Sequence, residues 1–384
     1  MKHSLLFAGL TSTVLLISGC SSFSNPFASK PDPRTVPAQL VTIDKPGVMP
    51  RLQWQQNVGN AGAYAFTPAL IEDSVYAAGT DGNVARFDQG RQVWRVQVGQ
   101  PLSGGVGSDG KVVAVGTAKG EVIVLNADNG KPLWKARVSS EVLAAPAVGQ
   151  DMVIVRSGDS QITAFDPADG KRRWVYQRSM PTLNLRSAVG VVLAPGGVLA
   201  GFPGGKLVVI AIANGSEIWE ATVAQPKGAT ELERVADITS PPVISGRQVC
   251  AAAFQGRVAC FDLASGNGIW AREFSSISGL DIDSKAVYIS GDNGTVQALD
   301  KSSGASLWKQ DKLLNRGLSR PLVVGGIVAV GDFQGYIHFL RVDDGGFSGR
   351  IATDGSGISA DPQRTADGFL IQTHGGSLNA YHLE

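Results

Sequence analysis

The chain has 384 residues, of which 43% are hydrophobic and 17% are charged. Its 34 basic and 33 acidic residues nearly balance and form no basic stripe, which argues against a nucleic-acid-binding protein. The 48 glycines fit an all-β protein rich in turns, because glycine accepts the positive φ that many turns require.

Residues 1–19 have the pattern of an export signal. A basic start at Lys2 is followed by a largely apolar run of 13 residues and then by Ile17-Ser18-Gly19-Cys20. This run is too short to span a bilayer as a mature helix, and small residues precede a predicted cleavage site. The segment resembles a bacterial lipobox, which implies acylation of Cys20 and, with Ser21 next, sorting to the outer membrane. The alternative is an ordinary secretory signal with an incidental cysteine.

Residues 20–50 are predicted to be a lipidated cysteine followed by a flexible tether. Serine and proline are frequent in this stretch, and such a composition does not form a packed core. A tether of this kind keeps the remaining residues, 51–384, close to a membrane without fixing their orientation.

One unit of about 40 residues repeats through residues 51–384. Its clearest copies, residues 164–174 and 298–308, both read A-x-D-x-x-x-G-x-x-x-W. The seven tryptophans share one slot of the unit at spacings of 40, 40, 40, 45, 51 and 38 residues, and an eighth slot falls on Gly349. Self-similarity at this period indicates a repeat architecture, in which the tryptophans pack in the core and do not form a binding site. These tryptophans are Trp54, Trp94, Trp134, Trp174, Trp219, Trp270 and Trp308.

Each unit contains signals for four short strands. Pairs of β-branched runs meet at a glycine-centred turn such as Asp81-Gly82 or Asn293-Gly294, a strong hairpin signal. A run of small residues precedes each hairpin and the tryptophan strand follows it. Four-stranded units at this period predict the blades of a β-propeller. Outside the N-terminus, no stretch of ten residues has helical periodicity.

Eight hairpins predict eight blades, but the chain ends just after the eighth hairpin. The missing outer strand is available at the other end of the domain, in residues 51–58. We therefore predict an all-β, eight-bladed β-propeller of four-stranded antiparallel blades. Pairing of the N-terminal strand with the C-terminal strand closes the ring and leaves no free edge between the first and last blades.

Cys250 and Cys260 flank one hairpin, and the turn length decides whether they can bond. A two-residue turn pairs residue 250 with 261 and places the sulfurs on opposite faces of the sheet. A three-residue turn with Gly256 in a bulge places the two cysteines directly opposite each other. The sequence leaves both turns open, and of the two outcomes we favour buried free thiols.

No pattern in the sequence predicts a catalytic residue, a cofactor or a metal site. Residues 105–111 imitate a phosphate-binding loop, but Val112 stands where Ser or Thr would bind Mg²⁺, and a strand follows where a helix is needed. His338, His374 and His382 do not have the spacing of metal ligands on a helix.

Two lengthened repeats contain the candidate binding residues. The interval from Trp174 to Trp219 exceeds 40 residues by 5, and the next interval exceeds it by 11. Both additions lie mainly between an outer strand and the next inner strand, so they project from the same end of the ring as the hairpin turns. The candidates are Leu183, Leu185 and Arg186 in the first addition and Asp237 in the second.

Apolar anchors beside a guanidinium are typical of an interaction hot spot. The alternative is that Leu183 and Leu185 begin the next inner strand and belong to the core.

The lipobox, the Ser/Pro-rich tether, the eight quinoprotein-like repeats and the segment Leu183-Asn184-Leu185-Arg186 together resemble the BamB family of outer-membrane assembly lipoproteins. The resemblance implies a non-enzymatic scaffold in the β-barrel assembly (BAM) complex, anchored in the outer membrane and facing the periplasm. It implies contact with the other BAM subunits and docking on the periplasmic POTRA domains of BamA.

In that family, the docking contact would correspond here to Leu183, Leu185, Arg186 and Asp237. Thr239 stands where family members often carry a second acid. Holding unfolded outer-membrane proteins near BamA is a further expected role.

The competing hypothesis is a periplasmic dehydrogenase that depends on pyrroloquinoline quinone, because that family shares these repeats. Its members are typically longer, need Ca²⁺ and a catalytic Asp in the ring centre, and often have adjacent cysteines, which this chain lacks.

Overall fold

The computed structural model describes residues 35–47 and 49–383. The predicted signal peptide, Cys20 and the first part of the tether lie outside the described residues. The described part of the chain contains no α-helix, and therefore none long and apolar enough to cross a membrane. Its strands form eight four-stranded antiparallel sheets, which are the blades of an eight-bladed β-propeller.

Blades 1 to 7 follow one another along the chain, and each runs from an inner to an outer strand. Blade 1 has β2 (Ala69–Ile71), β3 (Ser74–Ala78), β4 (Asn83–Asp88) and β5 (Arg91–Gln97); blade 2 has β6 (Gly104–Ser108), β7 (Val112–Gly116), β8 (Glu121–Asn126) and β9 (Pro132–Arg137); blade 3 has β10 (Ala147–Gly149), β11 (Met152–Arg156), β12 (Ile162–Phe165) and β13 (Arg172–Tyr176); blade 4 has β14 (Val192–Ala194), β15 (Gly197–Phe202), β16 (Lys206–Ala211) and β17 (Glu217–Thr222).

The remaining strands complete the ring. Blade 5 has β18 (Val243–Ser245), β19 (Gln248–Ala252), β20 (Arg257–Asp262) and β21 (Gly268–Glu273); blade 6 has β22 (Gly279–Ile282), β23 (Ala286–Ser290), β24 (Val296–Asp300) and β25 (Ser306–Gln310); blade 7 has β26 (Leu322–Val324), β27 (Ile327–Gly331), β28 (Tyr336–Arg341) and β29 (Phe347–Ala352); blade 8 has β30 (Gln363–Arg364), β31 (Gly368–Gln372), β32 (Ser377–His382) and β1 (Arg51–Asn57).

The predicted closure of the ring is confirmed. The N-terminal strand β1 pairs antiparallel with the C-terminal strand β32, from Arg51 opposite His382 to Asn57 opposite Ser377. Blade 8 therefore takes its outer strand from the start of the domain and its other three from the end.

The repeated tryptophans join neighbouring blades. The Trp94 ring packs on Gly130 of the next blade so closely that a Cβ there would lie 2.9 Å from it, and Gly130 also has a φ of +70°. The indole Nε1 of Trp94 donates to the carbonyl of Ala127, which belongs to the same turn of that next blade (2.9 Å). Trp308 repeats the arrangement with Gly345 and the Val342 carbonyl. The G-x-x-x-W spacing thus places a glycine under the tryptophan of the preceding blade.

Blade 7 has Gly349 in the slot that holds a tryptophan in the other blades. Met49 occupies the space instead, since a Cβ on Gly349 would collide with its side chain.

The cysteine prediction is wrong in its preferred form. Cys250 and Cys260 face each other across the β19–β20 hairpin and form a disulfide, with their Cα atoms 4.1 Å apart. The three-residue turn is the one that forms, but Gln255 adopts the left-handed conformation (φ 47°) instead of Gly256. Because the sequence has no glycine at that position, turn composition could not select the register.

The structure also differs from the expected tether near the ring. The backbone of Ala38 donates to Leu314 O (2.8 Å), and that of Gly47 donates to Ser348 O (2.9 Å). The stretch from residue 37 onwards is therefore part of the compact unit that contains the propeller.

Candidate functional site

The two lengthened connections lie side by side on one face of the propeller. Residues 177–191 join blade 3 to blade 4, and residues 223–242 join blade 4 to blade 5. The face that bears these connections also bears the turns between second and third strands, and we call it the loop face; the opposite side is the turn face. Leu185 N donates to Asp237 Oδ2 at 2.7 Å, which confirms that the two connections are neighbours.

Leu183 and Leu185 precede the inner strand of blade 4 and are not part of it. That strand, β14, begins only at Val192. Leu183 is 40% exposed and Leu185 is half-buried. The reading of these residues as the start of a core strand is therefore not what the structure shows, and Leu183 is an apolar side chain presented to solvent.

Asp237 differs from the expectation that it lies on the contact surface. It is 2% exposed, and its carboxylate accepts hydrogen bonds from Leu185 N and from Gly204 N (3.0 Å). A buried carboxylate with two main-chain donors holds loops in place. Asp237 thus connects the two lengthened loops beneath the surface instead of facing a partner.

Arg156, which sequence reasoning missed, lies beneath the same loops. Its guanidinium donates to the Gly201 carbonyl and to Ser160 Oγ (3.1 Å) and stacks 5.0 Å from the centre of the Phe202 ring. Burial lowers the pKa of Arg156 to about 10, and the charge of Asp237 opposes that shift. Arg156 is therefore still charged at neutral pH. The available sequence signal was a charged residue at the end of the otherwise apolar strand β11.

Arg186 pairs with Glu141, which is not a residue of either lengthened loop. The Nε and Nη2 atoms of Arg186 donate to the two Glu141 carboxylate oxygens at 2.7 Å each. This hydrogen-bonded pair raises the pKa of Arg186 and lowers that of Glu141. Glu141 lies in the ordinary-length connection between blades 2 and 3, so no lengthening of the repeat pointed to it. The Arg186 side chain remains 60% exposed.

The connection from blade 4 to blade 5 projects an apolar tip. Glu233 accepts hydrogen bonds from the backbones of Ala229 (2.8 Å) and Thr230 (3.0 Å), and its own backbone donates to Thr230 Oγ1 (3.3 Å). This reciprocal pattern is a capping box, which stabilises a single turn. The turn presents Leu232, which is 71% exposed.

These residues form a supported rim, defined here as Leu183, Leu185, Arg186 and Leu232. Beneath the rim, Asp237 links the connection from blade 3 to blade 4 with the connection from blade 4 to blade 5. Beside the rim, Glu141 links the connection from blade 2 to blade 3 with Arg186. Exposed apolar side chains on the same face as a hydrogen-bonded guanidinium suit the docking of another protein. Within residues 35–47 and 49–383, no three His, Cys, Asp or Glu side chains are grouped so that they could hold a metal ion.

The fold and the rim define an eight-bladed β-propeller with quinoprotein-type repeats and an elaborated loop face. The family model described as outer membrane protein assembly factor BamB matches residues 51–310. A protein of that name from Bordetella pertussis is 46% identical over 368 residues, which cover 95% of this chain and 94% of the relative. The chain belongs to the BamB family of outer membrane protein assembly factors.

Solved structures agree with this assignment. The crystal structure of BamB from Moraxella catarrhalis matches with a TM-score of 0.81 at 26% identity, covering 87% of this chain and 100% of that one. Quinohemoprotein alcohol dehydrogenase from Comamonas testosteroni matches with a TM-score of 0.69 but only 14% identity, covering 87% of this chain and 76% of that one. The second likeness shows a shared fold alone, so the dehydrogenase is a distant fold relative.

Proposed function

We propose that this assembly factor is a non-enzymatic scaffold of the BAM complex that docks on the periplasmic POTRA domains of BamA through the rim. Membership of the BamB family supports the complex. The observation that supports docking through the rim is that the exposed Arg186, hydrogen-bonded to Glu141, lies on the same face as the exposed Leu183 and Leu232.

The rim residues divide into contacts and supports. Leu183, Leu185 and Arg186 contact the partner, since they lie at or near the surface. Asp237 positions the Leu185 backbone from below, because its carboxylate is buried. The support matters energetically, since a loop ordered before binding avoids part of the entropy that association would otherwise cost.

Calorimetric titration of residues 21–384 with the BamA periplasmic region tests this function. Arg186→Glu should weaken binding by at least about 30-fold, the loss expected of a hot-spot residue. Arg247→Glu is the matched control, because Arg247 is 89% exposed and lies on the turn face. Equal binding by both variants would move the docking site away from the rim. Absence of binding by the unaltered protein would remove the scaffold function.

The proposed scaffold is held in the outer membrane by acylated Cys20 and faces the periplasm. The lipobox-like segment before Cys20 supports this location. More than one acyl chain gives stable anchoring, whereas one chain binds only marginally. A Cys20→Ser form should leave the membrane fraction, and its retention there would contradict the anchor.

A second role, binding unfolded outer-membrane proteins, is favoured by the outer strands. In five blades the residue directly before the tryptophan is a large apolar side chain that is 46–54% exposed. These residues are Val93, Leu133, Ile218, Ile269 and Leu307. A free strand edge beside an exposed apolar side chain can accept an added strand. Crosslinking from these positions should capture nascent barrel proteins, and capture of BamA alone would remove this role.

A further inference from the structure

The chain just before the propeller lies along blade 7. We call residues 37–47 and 49–50 the strap. Near its start, Ala38 N donates to Leu314 O, in the connection between blades 6 and 7 on the loop face. Near its end, Gly47 N donates to Ser348 O, near the start of β29 on the turn face. The strap therefore runs down the outer side of blade 7 from the loop face to the turn face.

Two arginines of blade 7 and its connection hold the strap by its main-chain carbonyls. Arg316 Nη1 donates to Ala38 O (2.9 Å), and Arg350 Nη2 donates to Val41 O (3.0 Å). Arg316 is 3% exposed with the strap in place, so the bound strap accepts from a guanidinium that is shielded from solvent. These contacts make the strap a bound segment and not a passing tether.

We call Arg316 and Arg350 the clasp. Both arginines are themselves positioned by buried polar groups. Asp332 accepts from Arg316 Nε (2.7 Å) and pairs with His338 Nε2 (2.9 Å). Arg350 Nε donates to His338 Nδ1 (3.2 Å). Asp332 and His338 are fully buried, so the clasp has a rigid base.

Blade 7 also departs from the repeat where the strap lies. Gly349 replaces the tryptophan, and Met49 fills the space against it. Ser348, in the slot that is exposed and apolar in five other blades, is 1% exposed. Blade 7 is thus shaped to receive the strap.

The strap changes the face from which the chain leaves the ring. Strand β1 begins at Arg51 on the turn face, so without the strap the tether would leave from there. The strap carries the chain back across the height of the blade, about 17–20 Å for a typical strand. The strap thus begins, at Pro37, on the loop face, where the rim also lies.

We propose that the strap and its arginine clasp orient the propeller at the membrane, with the loop face on the side of the lipid anchor. The strap meets the loop face at the connection from blade 6 to blade 7, three blades from the connection that carries Arg186, so strap and rim occupy separate parts of one face. The seventeen residues from Cys20 to Val36 reach at most about 55–60 Å, which keeps that face near the bilayer. This inference rests on the proposed acylation of Cys20.

Spin-label distances in the full chain test the position of the strap. Only introduced cysteines take the label, because Cys250 and Cys260 are bonded and Cys20 is proposed to be acylated. Labels at Gln39→Cys and Lys312→Cys should give a short, narrow distance distribution. The pair Gln39→Cys and Asp343→Cys, which spans the two faces of blade 7, should give a longer one. A broad distribution for the first pair would overturn the strap.

Two variants should release the strap and broaden that distribution. Arg316→Ala/Arg350→Ala removes the clasp. Gly349→Trp restores the residue typical of the repeat and displaces Met49 without altering a buried charge. It therefore tests release of the strap independently if the first variant fails to fold. Arg173→Ala/Arg247→Ala, which alters two exposed arginines elsewhere, is the matched control. An unchanged narrow distribution in both release variants would contradict the clasp.

Energy transfer on vesicles tests the orientation itself. The full lipidated chain carries a donor dye at Lys312→Cys or at Asp343→Cys, and the vesicles contain lipids with an acceptor dye on the headgroup. Transfer should be stronger from residue 312, and Gly349→Trp should remove the difference. Equal transfer from both positions in the unaltered strap would overturn the proposal. Failure of the chain to associate with vesicles would instead remove the lipid anchor and the orientation that depends on it, while the spin-label distances still report on the strap.

Discussion

At the scale of single residues, the neighbours of His338 determine which of its ring nitrogens carries the hydrogen. A carboxylate only accepts and an arginine only donates, so Nε2 carries the hydrogen towards Asp332 and Nδ1 accepts from Arg350. The ring is therefore neutral in this arrangement. Burial lowers the pKa of His338, although the hydrogen bond to Asp332 opposes the shift and the charges of Arg350 and Arg316 add to it.

Acidification should weaken the clasp and the fold together. A folded-state pKa below 6.5 means that the unfolded chain binds more protons below pH 6.5. The free energy of unfolding contributed by His338 is therefore complete above pH 6.5 and falls as the pH drops towards the folded-state pKa. Protonation of Nδ1 would also turn an acceptor into a donor that faces Arg350, which releases the Val41 carbonyl. Urea denaturation at a series of pH values measures the first effect, and amide exchange in the strap measures the second.

The matched variant for this prediction is His338→Gln. A glutamine amide can accept from Arg350 and donate to Asp332, but it does not titrate. The charged and aromatic groups around the position, which are Asp332, Arg316, Arg350, Tyr336 and Phe347, stay the same. The free energy of unfolding of the His338→Gln protein should depend less on pH below 6.5 than that of the unaltered protein. The same pH dependence in both proteins would contradict the role of His338.

At the scale of single elements, the β19–β20 hairpin links the disulfide to the rim. Cys250 and Cys260 join its two strands in the core. The tip of the hairpin donates from Phe254 N to Asp237 O (2.8 Å). The same residue whose carboxylate positions Leu185 is thus bound through its carbonyl to the disulfide-linked hairpin.

The disulfide should be measurable by counting thiols and by stability. Residues 21–384, denatured without reductant, should show no free thiol, and two should appear after reduction. Closing a loop of this size contributes about 2–3 kcal/mol to the free energy of unfolding. Reductant should lower that free energy in the unaltered protein but not in Cys250→Ala/Cys260→Ala. Two free thiols without reductant would contradict the bond.

At the scale of the whole molecule, stability depends on closure of the ring. Strand β32 pairs with β31 on one side and with β1 on the other. Its Leu378 and Ala380 are buried in a cluster that also contains Val75 and Phe87 of blade 1. The last strand of the chain therefore connects the first and last blades both by hydrogen bonds and by packing.

Deletion of residues 377–384 should unfold the propeller cooperatively. It removes a central strand of blade 8 and leaves β31 and β1 as unpaired edges. Calorimetry should show a large loss of melting temperature or no folded transition at all. A deletion of residues 21–34, within the predicted tether, is the control and should leave the transition in place. An unchanged melting temperature after the C-terminal deletion would contradict closure.

The sequence alone determined the fold, the number of blades and the way the ring closes. These follow from local signals, namely the turn chemistry of each hairpin and the glycine-to-tryptophan spacing, which six of the eight units share. It also located the lengthened loops and their adjacency, because consecutive blades must be neighbours. The tertiary structure decided which side chains of those loops face outward. Asp237 turns inward because two backbone amides bind its carboxylate, whereas Arg186 turns to Glu141 in a connection that no repeat irregularity identified.

Two further features depended on contacts that no local pattern encodes. The disulfide required one register of a turn in which Gln255, without a glycine's freedom, takes the left-handed conformation. The strap has the composition of a tether, and it docks only because Arg316 and Arg350, about three hundred residues further along the chain, present donors to its carbonyls. Composition describes what a segment can do alone, and such long-range partners exist only after the ring has formed.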